Sequence, residues 1–138
     1  MTLTADDIAE IVNLSHAYNQ AVDRHDPKSW TDTFTEDGEL SSPFGNPQGK
    51  DALHEWISGV TASLSGTRHC SVNEVVAGNG DTATMSSYYF VVGTTDAPPT
   101  IGATGGYDDE LQRGADGWRF RRRVHTVDAS FGGEALTG

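Results

Sequence analysis

Three side chains of this sequence have the types that acid–base chemistry requires. Tyr18 and Asp23 stand near the end of the first helical stretch, in YNQAVDRHDPKSW, and His69 follows in the extended stretch TRHCSVNEVV. A phenol, a carboxylate and an imidazole gathered in an apolar pocket move protons without any cofactor. The imidazole, with an ordinary pKa of about 6.5, serves as acid or base near neutrality. The plainer reading of the same residues makes Tyr18 ordinary core, Asp23 a helix-end residue bonded to nearby N–H groups, and His69 a side chain on an exposed sheet face. The two readings differ in whether the fold brings the groups together.

The elements that must position them are helices first and strands second. Thr4-Ala5-Asp6-Asp7 reads as an N-cap followed three residues later by an acid, and Ile8, Ile11, Val12, Ser15, Tyr18, Asn19 and Val22 recur at helical spacing, which predicts a helix from about Ala5 to Arg24. Asp26-Pro27 marks a second helix carrying Trp30 and Phe34 at i, i+4 and stopping at Asp37-Gly38. After the turn-rich SSPFGNPQGK, Leu53, Trp56, Ile57 and Val60 form the stripe of a third helix over Asp51 to Leu64. From Thr67 the period becomes two. Four strands are expected, Thr67–Ala77, Thr82–Gly93, Ile101–Arg113 and Trp118–Val127, with tight turns at Gly78-Asn79-Gly80-Asp81 and Gly114-Ala115-Asp116-Gly117. Helices followed by an antiparallel meander define an α+β domain spanning 1–138, with 132–138 as a flexible tail.

On an ideal helix Tyr18 and Asp23 lie about 140° apart, with the apolar stripe between them, so each is expected at one border of the buried face. In the strand, His69 shares a face with Ser71, Asn73 and Val75; this more polar face is placed toward the pocket, and a β-bulge would reverse that assignment. Cys70, the lone cysteine, reads as a small buried side chain on the opposite face. Tyr88 and Tyr89 point to opposite faces, and core is the expectation for both. Tyr107 and Asp109 share a face, with a solvated strand edge the expectation and a second base the alternative. Arg122 or Arg123 is available to orient an anionic or carbonyl group, while the other arginines pair with the acidic surface. Asn73 either donates to a substrate oxygen or satisfies backbone, and His125 either closes the pocket or sits at a dimer surface.

Composition excludes several function classes. With 9 Lys and Arg against 20 Asp and Glu, the net charge of −11 repels phosphate backbones and anionic lipid surfaces, so neither nucleic acid nor a membrane is expected as partner. Met1 to Asp7 lacks the basic start and apolar core of a secretory signal, and the expected location is the cytoplasm. His16, His25 and His54 lack metal-ligand spacing, so no metal is expected. The glycines of Gly102-Ala103-Thr104-Gly105-Gly106 do not open a helix, and no phosphate-binding loop or G-x-S-x-G occurs, so no cofactor is expected.

The run Tyr18-x4-Asp23-x2-Asp26-x3-Trp30-x3-Phe34-x2-Asp37-Gly38, then Arg68-His69, Asn73, Gly80-Asp81-x-Ala83, Gly106-Tyr107-x-Asp109 and Gly117-Trp118 with Arg122-Arg123, resembles the SnoaL-like branch of the NTF2-like superfamily. The resemblance implies a cone-shaped barrel, three N-terminal helices on a curved, mostly antiparallel sheet, enclosing a pocket. It also implies a homodimer and, because the superfamily holds polyketide cyclases, dehydratases, isomerases and non-catalytic modules, only a loose activity. Tyr18, Asp23 and His69 look like the Tyr, Asp and His of bile-acid 7α-dehydratase and scytalone-dehydratase types. The expectation is a cofactor-independent dehydratase, isomerase or cyclase for a hydrophobic polycyclic, polyketide or terpenoid-like molecule. Trp30, Phe34, Trp56, Asn73, Tyr89, Tyr107, Arg123 and His125 are the candidate substrate-binding residues. The alternatives are an epoxide hydrolase or epoxide-opening cyclase, for which Asp108, Asp109 and Arg122 or Arg123 lack the close Arg-x-Asp spacing, and a non-catalytic ligand-binding or dimerisation module.

Overall fold

The computed structural model describes residues 2–130, and the tail expected at 132–138 lies outside the described residues. Helix α1 (Ala5–Asp23) opens on a reciprocal capping box, in which the Thr4 amide donates to the Asp7 carboxylate and the Asp7 amide to the Thr4 hydroxyl. Its buried face holds Ile11, Leu14, Ser15, Tyr18, Asn19, Ala21 and Val22. Leu14 and Ala21 extend the apolar stripe past Tyr18, so Tyr18 lies at the stripe's centre and not at its border, while Ile8 is left largely exposed.

Helix α2 (Pro27–Thr31) is shorter than expected. The residues assigned to its second half instead form strand β1 (Phe34–Ser41), parallel to the last strand of the chain. Two causes compete with the helical spacing of Trp30 and Phe34. The Thr33 hydroxyl bonds back to the Trp30 carbonyl, ending the helix, and the Phe120 amide takes the Thr33 carbonyl, drawing the next residues into the sheet. Gly38 sits where β1 shifts register against Phe120; a Cβ there would lie 2.9 Å from Phe34 Cβ and 3.1 Å from the Phe120 carbonyl.

Helix α3 (Lys50–Ser63) buries Leu53, Ile57 and Thr61. Strands β2 (Thr67–Asn79), β3 (Thr82–Gly93), β4 (Thr100–Gly114) and β5 (Gly117–Ser130) then form the antiparallel meander, and the five-stranded sheet has the order β1-β5-β4-β3-β2. The β2–β3 and β4–β5 hairpins close on two-residue turns, with Asn79 opposite Thr82 and Gly114 opposite Gly117. The chain is an α+β fold with its helices on one face of the sheet.

Strict alternation sets the inner face: Ala83, Met85, Ser87, Tyr89 and Val91 on β3, and Ala103, Tyr107, Asp109 and Leu111 on β4, are buried. Tyr88 is therefore 63% exposed, contrary to the expectation of core, and Cys70 lies half-buried on the outer face. In β2 the register slips between Val72 and Val75, and Asn73 takes a left-handed φ of 57°. This bulge inserts one extra residue, so His69 faces inward above it, Val76 packs on the core below it, and Val75 is 66% exposed.

Candidate active site

Asp23 and His69 are in contact. The Asp23 carboxylate, at the last residue of α1, meets the ring Nδ1 of His69 at 2.7 Å. It also accepts the His69 backbone amide, at 3.0 Å to one oxygen and 3.2 Å to the other, and the Thr67 hydroxyl at 3.1 Å. The arrangement follows from topology. β2 is an edge strand, so the outward His69 amide has no neighbouring strand, and the end of α1 brings a carboxylate to it. A carboxylate accepting from all these groups makes Nδ1 the donor, so in the neutral ring Nε2 is the nitrogen that carries the lone pair. Nε2 is buried with no hydrogen-bond partner, and the two side chains are 1% and 9% exposed.

Tyr18 belongs to a second cluster. Its ring centroid lies 5.2 Å from Trp30, 6.2 Å from Phe34, 6.0 Å from Tyr107 and 5.9 Å from Phe120. Phe34 starts β1, not a helix, and Trp56 of α3 extends the stack, 5.8 Å from Trp30. Burial raises the Tyr18 phenol pKa and pushes Tyr107 well above the usual value, so both hydroxyls keep their protons. Tyr18 Oη, Trp30 Nε1 and Tyr107 Oη are buried donors without partners.

Arg123 is fully buried inside this cluster. Its guanidinium carbon lies 3.7 Å from the Tyr107 ring centre, 4.3 Å from Phe120 and 4.4 Å from Tyr18. Asp109 grips it bidentately at 2.8 and 3.1 Å, and Ser15 accepts a further bond at 3.1 Å, leaving Nη1 free. Burial works against the arginine's charge, and Asp109 more than offsets it; burial likewise raises the Asp109 carboxyl against the pull of Arg123. The expectation of a solvated edge at Tyr107 and Asp109 is thus corrected, because both point under the helices and each needs the arginine's company there. Arg122, of opposite parity, pairs with Glu39 at the surface.

His125 is buried against Tyr89 and Tyr107, with ring centroids 5.0 and 5.3 Å away. Its Nε2 meets Tyr89 Oη at 2.7 Å and its Nδ1 meets Ser42 Oγ at 3.0 Å. Asn73 does not join the site: the bulge turns it to the outer sheet face, where it lines a groove of about 540 Å³ with Val75 and Tyr88. The sequence does not single out Ser42 or Ser15 as site residues. Ser15 was visible as a polar residue on the apolar stripe, whereas nothing in the turn-rich SSPFG marks Ser42.

The α1–β2 seam carries surface clefts next to the dyad, one of about 320 Å³ lined by Gln20, Asp23, Arg24 and Arg68, another of about 280 Å³ that includes His69 and Ser71. Among the described residues no three His, Cys, Asp or Glu side chains are grouped to hold a metal ion, and no helix is long and apolar enough to cross a membrane.

Fold and site together define a helix-covered cone with a carboxylate–imidazole pair and an aromatic interior, and the chain belongs to the SnoaL-like domain family, whose model matches residues 3–124. A Nostoc punctiforme protein of unknown function with a cystatin-like fold superposes with a TM-score of 0.89 at 32% identity, over 96% of this chain and 98% of that one. An NTF2-like protein from Novosphingobium aromaticivorans with a cystatin-like fold gives 0.80 at 25% identity, over 96% and 90%. ActVI-ORFA from Streptomyces coelicolor gives 0.77 at 27% identity, over 88% and 97%. No curated protein matches the chain.

Proposed function

We propose that this protein is a cofactor-independent acid–base enzyme, a dehydratase, isomerase or cyclase, acting on a hydrophobic polycyclic, polyketide or terpenoid-like molecule. The observation that carries the reading is the buried His69 Nε2, a nitrogen without a partner on a ring whose other nitrogen is held by Asp23. In this reading Nε2 removes a proton from carbon, and the Asp23 carboxylate orients the ring and balances the imidazolium that forms. Tyr18, still protonated, donates to the oxygen that gains negative charge or departs. Trp30, Phe34, Trp56, Tyr89, Tyr107, Arg123 and His125 are the side chains assigned to substrate binding in this reading, apolar along the rings and rich in donors. Asn73 is left out, because it faces away.

The enzyme works, in this proposal, in the cytoplasm as a homodimer joined through the outer sheet face, where Tyr88 and Val75 stand exposed along the wide groove. The activity is tested with 3-hydroxy-1-tetralone, a fused-ring β-hydroxy ketone that becomes 1-naphthol on losing water. His69→Ala and Asp23→Asn should each lower the rate by about 10²- to 10⁴-fold with the fold intact by circular dichroism. Near-wild-type rates in both variants end the reading.

A further inference from the structure

In a chain of net charge −11, most basic side chains are matched with acids. Lys28 and Lys50 reach Asp32, Arg113 reaches Asp7 and Asp81, Arg122 reaches Glu39, and Arg123 reaches Asp109. Among the described residues, Arg24, Arg68, Arg119 and Arg121 form no ion pair with an acid. Arg119 lines a cleft with Glu36 and Asp116, and Arg121 lines one with Glu110. Arg24 and Arg68, both exposed, share the cleft of about 320 Å³ on the α1–β2 seam, whose one lining acid is Asp23.

Asp23 does not neutralise them. Its carboxylate is turned to the Thr67 hydroxyl, the His69 amide and the His69 ring, and its side chain is 9% exposed. Nor does the end of α1 need the Arg24 side chain, because the carbonyls of Gln20, Ala21 and Val22 are taken by the amides of Arg24, Asp26 and His25. Arg68 gives one N–H to the Thr67 carbonyl at 2.9 Å, which ties its head to the strand and leaves the rest of the fork for another acceptor. Two cations lining one cleft repel each other, and an anion between them turns that repulsion into attraction.

The cleft adjoins the dyad. Gln20 also lines the neighbouring cleft of about 280 Å³, together with Asn19, His69 and Ser71. There Asn19 gives its Nδ2 to the Ser71 hydroxyl at 2.7 Å, while Asn19 Oδ1 and His69 Nε2 are buried atoms without partners. One stretch of the seam thus holds unmatched positive charge, and the next holds unmatched polar atoms, one of them on the dyad itself.

We propose that Arg24 and Arg68 form an anion subsite, and that the molecule on which the dyad acts carries a carboxylate seated there, with its remainder in the adjoining cleft that His69 lines. A planar carboxylate suits guanidinium forks, which can each give it two N–H groups. The subsite rests on the acid–base reading of Asp23 and His69, and it narrows the substrate class to ring compounds bearing a carboxylate.

The test is titration calorimetry of the full chain at neutral pH with 1-naphthoate and with 1-naphthamide, which has the same ring system without the charge. 1-Naphthoate should bind at least tenfold more tightly and should shift the backbone amide signals of Arg24, Arg68 and His69 in ¹H–¹⁵N spectra. Arg24→Gln and Arg68→Gln should each remove about tenfold of the 1-naphthoate affinity and leave that for 1-naphthamide unchanged. Arg121→Gln, in the cleft that holds Glu110, should alter neither. Equal affinity for the two compounds, binding of neither, or a preference for 1-naphthoate that survives both Arg24→Gln and Arg68→Gln overturns the subsite. Turnover of 3-hydroxy-1-tetralone decides the underlying reading separately. Turnover without a preference for 1-naphthoate sinks the subsite alone. A preference lost in both variants, with no turnover, sinks the acid–base reading and upholds Arg24 and Arg68 as an anion site.

Discussion

His69 and His125 are both buried imidazoles with both ring nitrogens inside the protein, and their surroundings make them opposites. His69 leans on a carboxylate that already accepts a backbone amide and a hydroxyl, so a positive charge on its ring has a counter-ion in place. His125 lies between two hydroxyls and within the field of Arg123, so a positive charge there has none. One ring has a nitrogen without a partner, and in the other both nitrogens are bonded. The contrast teaches that burial alone does not decide what a histidine does; the charge type of its first partner does.

The largest expected effect breaks the contrast directly. On 3-hydroxy-1-tetralone, His69→Gln should cut kcat by about 10²- to 10⁴-fold, while His125→Gln should lose at most about tenfold, mainly through KM. Equal losses would mean that the two rings are not different in kind. Next comes the arginine that helps keep His125 uncharged. Asp109→Ala leaves Arg123 buried without its carboxylate and should cost about 3–5 kcal/mol in urea unfolding, whereas replacing the pair by Met and Leu should recover most of that loss. A loss below about 1 kcal/mol for Asp109→Ala would show that the cation is supported chiefly by the rings.

The third effect is a pH dependence. The unfolded chain protonates the His125 imidazole near 6.5 and the folded chain only near about 4, so between those values the unfolded state takes up more protons. Stability from this residue is complete above 6.5 and is lost as pH falls toward about 4, amounting to roughly 3 kcal/mol. Urea midpoints across that range should show the decline, and His125→Gln should flatten it. Smaller still, Gly105→Ala sets a Cβ against the Thr126 carbonyl and the Tyr89 ring, for about 1–3 kcal/mol by thermal unfolding. Smallest is Tyr88→Ser on the outer face, which should change monomer stability by less than about 0.5 kcal/mol and show itself in sedimentation as a shift from dimer to monomer.

Much of the fold was legible because helical and two-residue periodicities are strong here. Strand β3 matches its expected bounds, Thr82–Gly93, since alternation runs unbroken from Ala83 to Val91. β1 was not legible, since Phe34 fits both a helix stripe with Trp30 and a strand, and the pairing that decides it comes from Phe120, far along the chain. The Asp23–His69 contact was anticipated from residue type, yet its geometry depends on β2 being an edge strand, which only the strand order reveals. Tyr18 reads as off-centre on a stripe without Leu14 and Ala21, and as central once both are included. Asp109 and Arg123 share a fate that their positions conceal, for two charged residues on separate strands read as surface until their registry is known.

Asp23 has one more consequence, for the behaviour of many molecules together. A bare edge strand offers its row of amides and carbonyls to another chain, and β2 is an edge strand of the sheet, bridged at its end where Asn79 pairs with Thr2. The row is interrupted at His69, where the Asp23 carboxylate occupies the amide, and again at Asn73, where the bulge breaks the line. The carboxylate that meets the imidazole thereby also occupies a backbone donor that a strand of another molecule would need, and replacing Asp23 uncovers it.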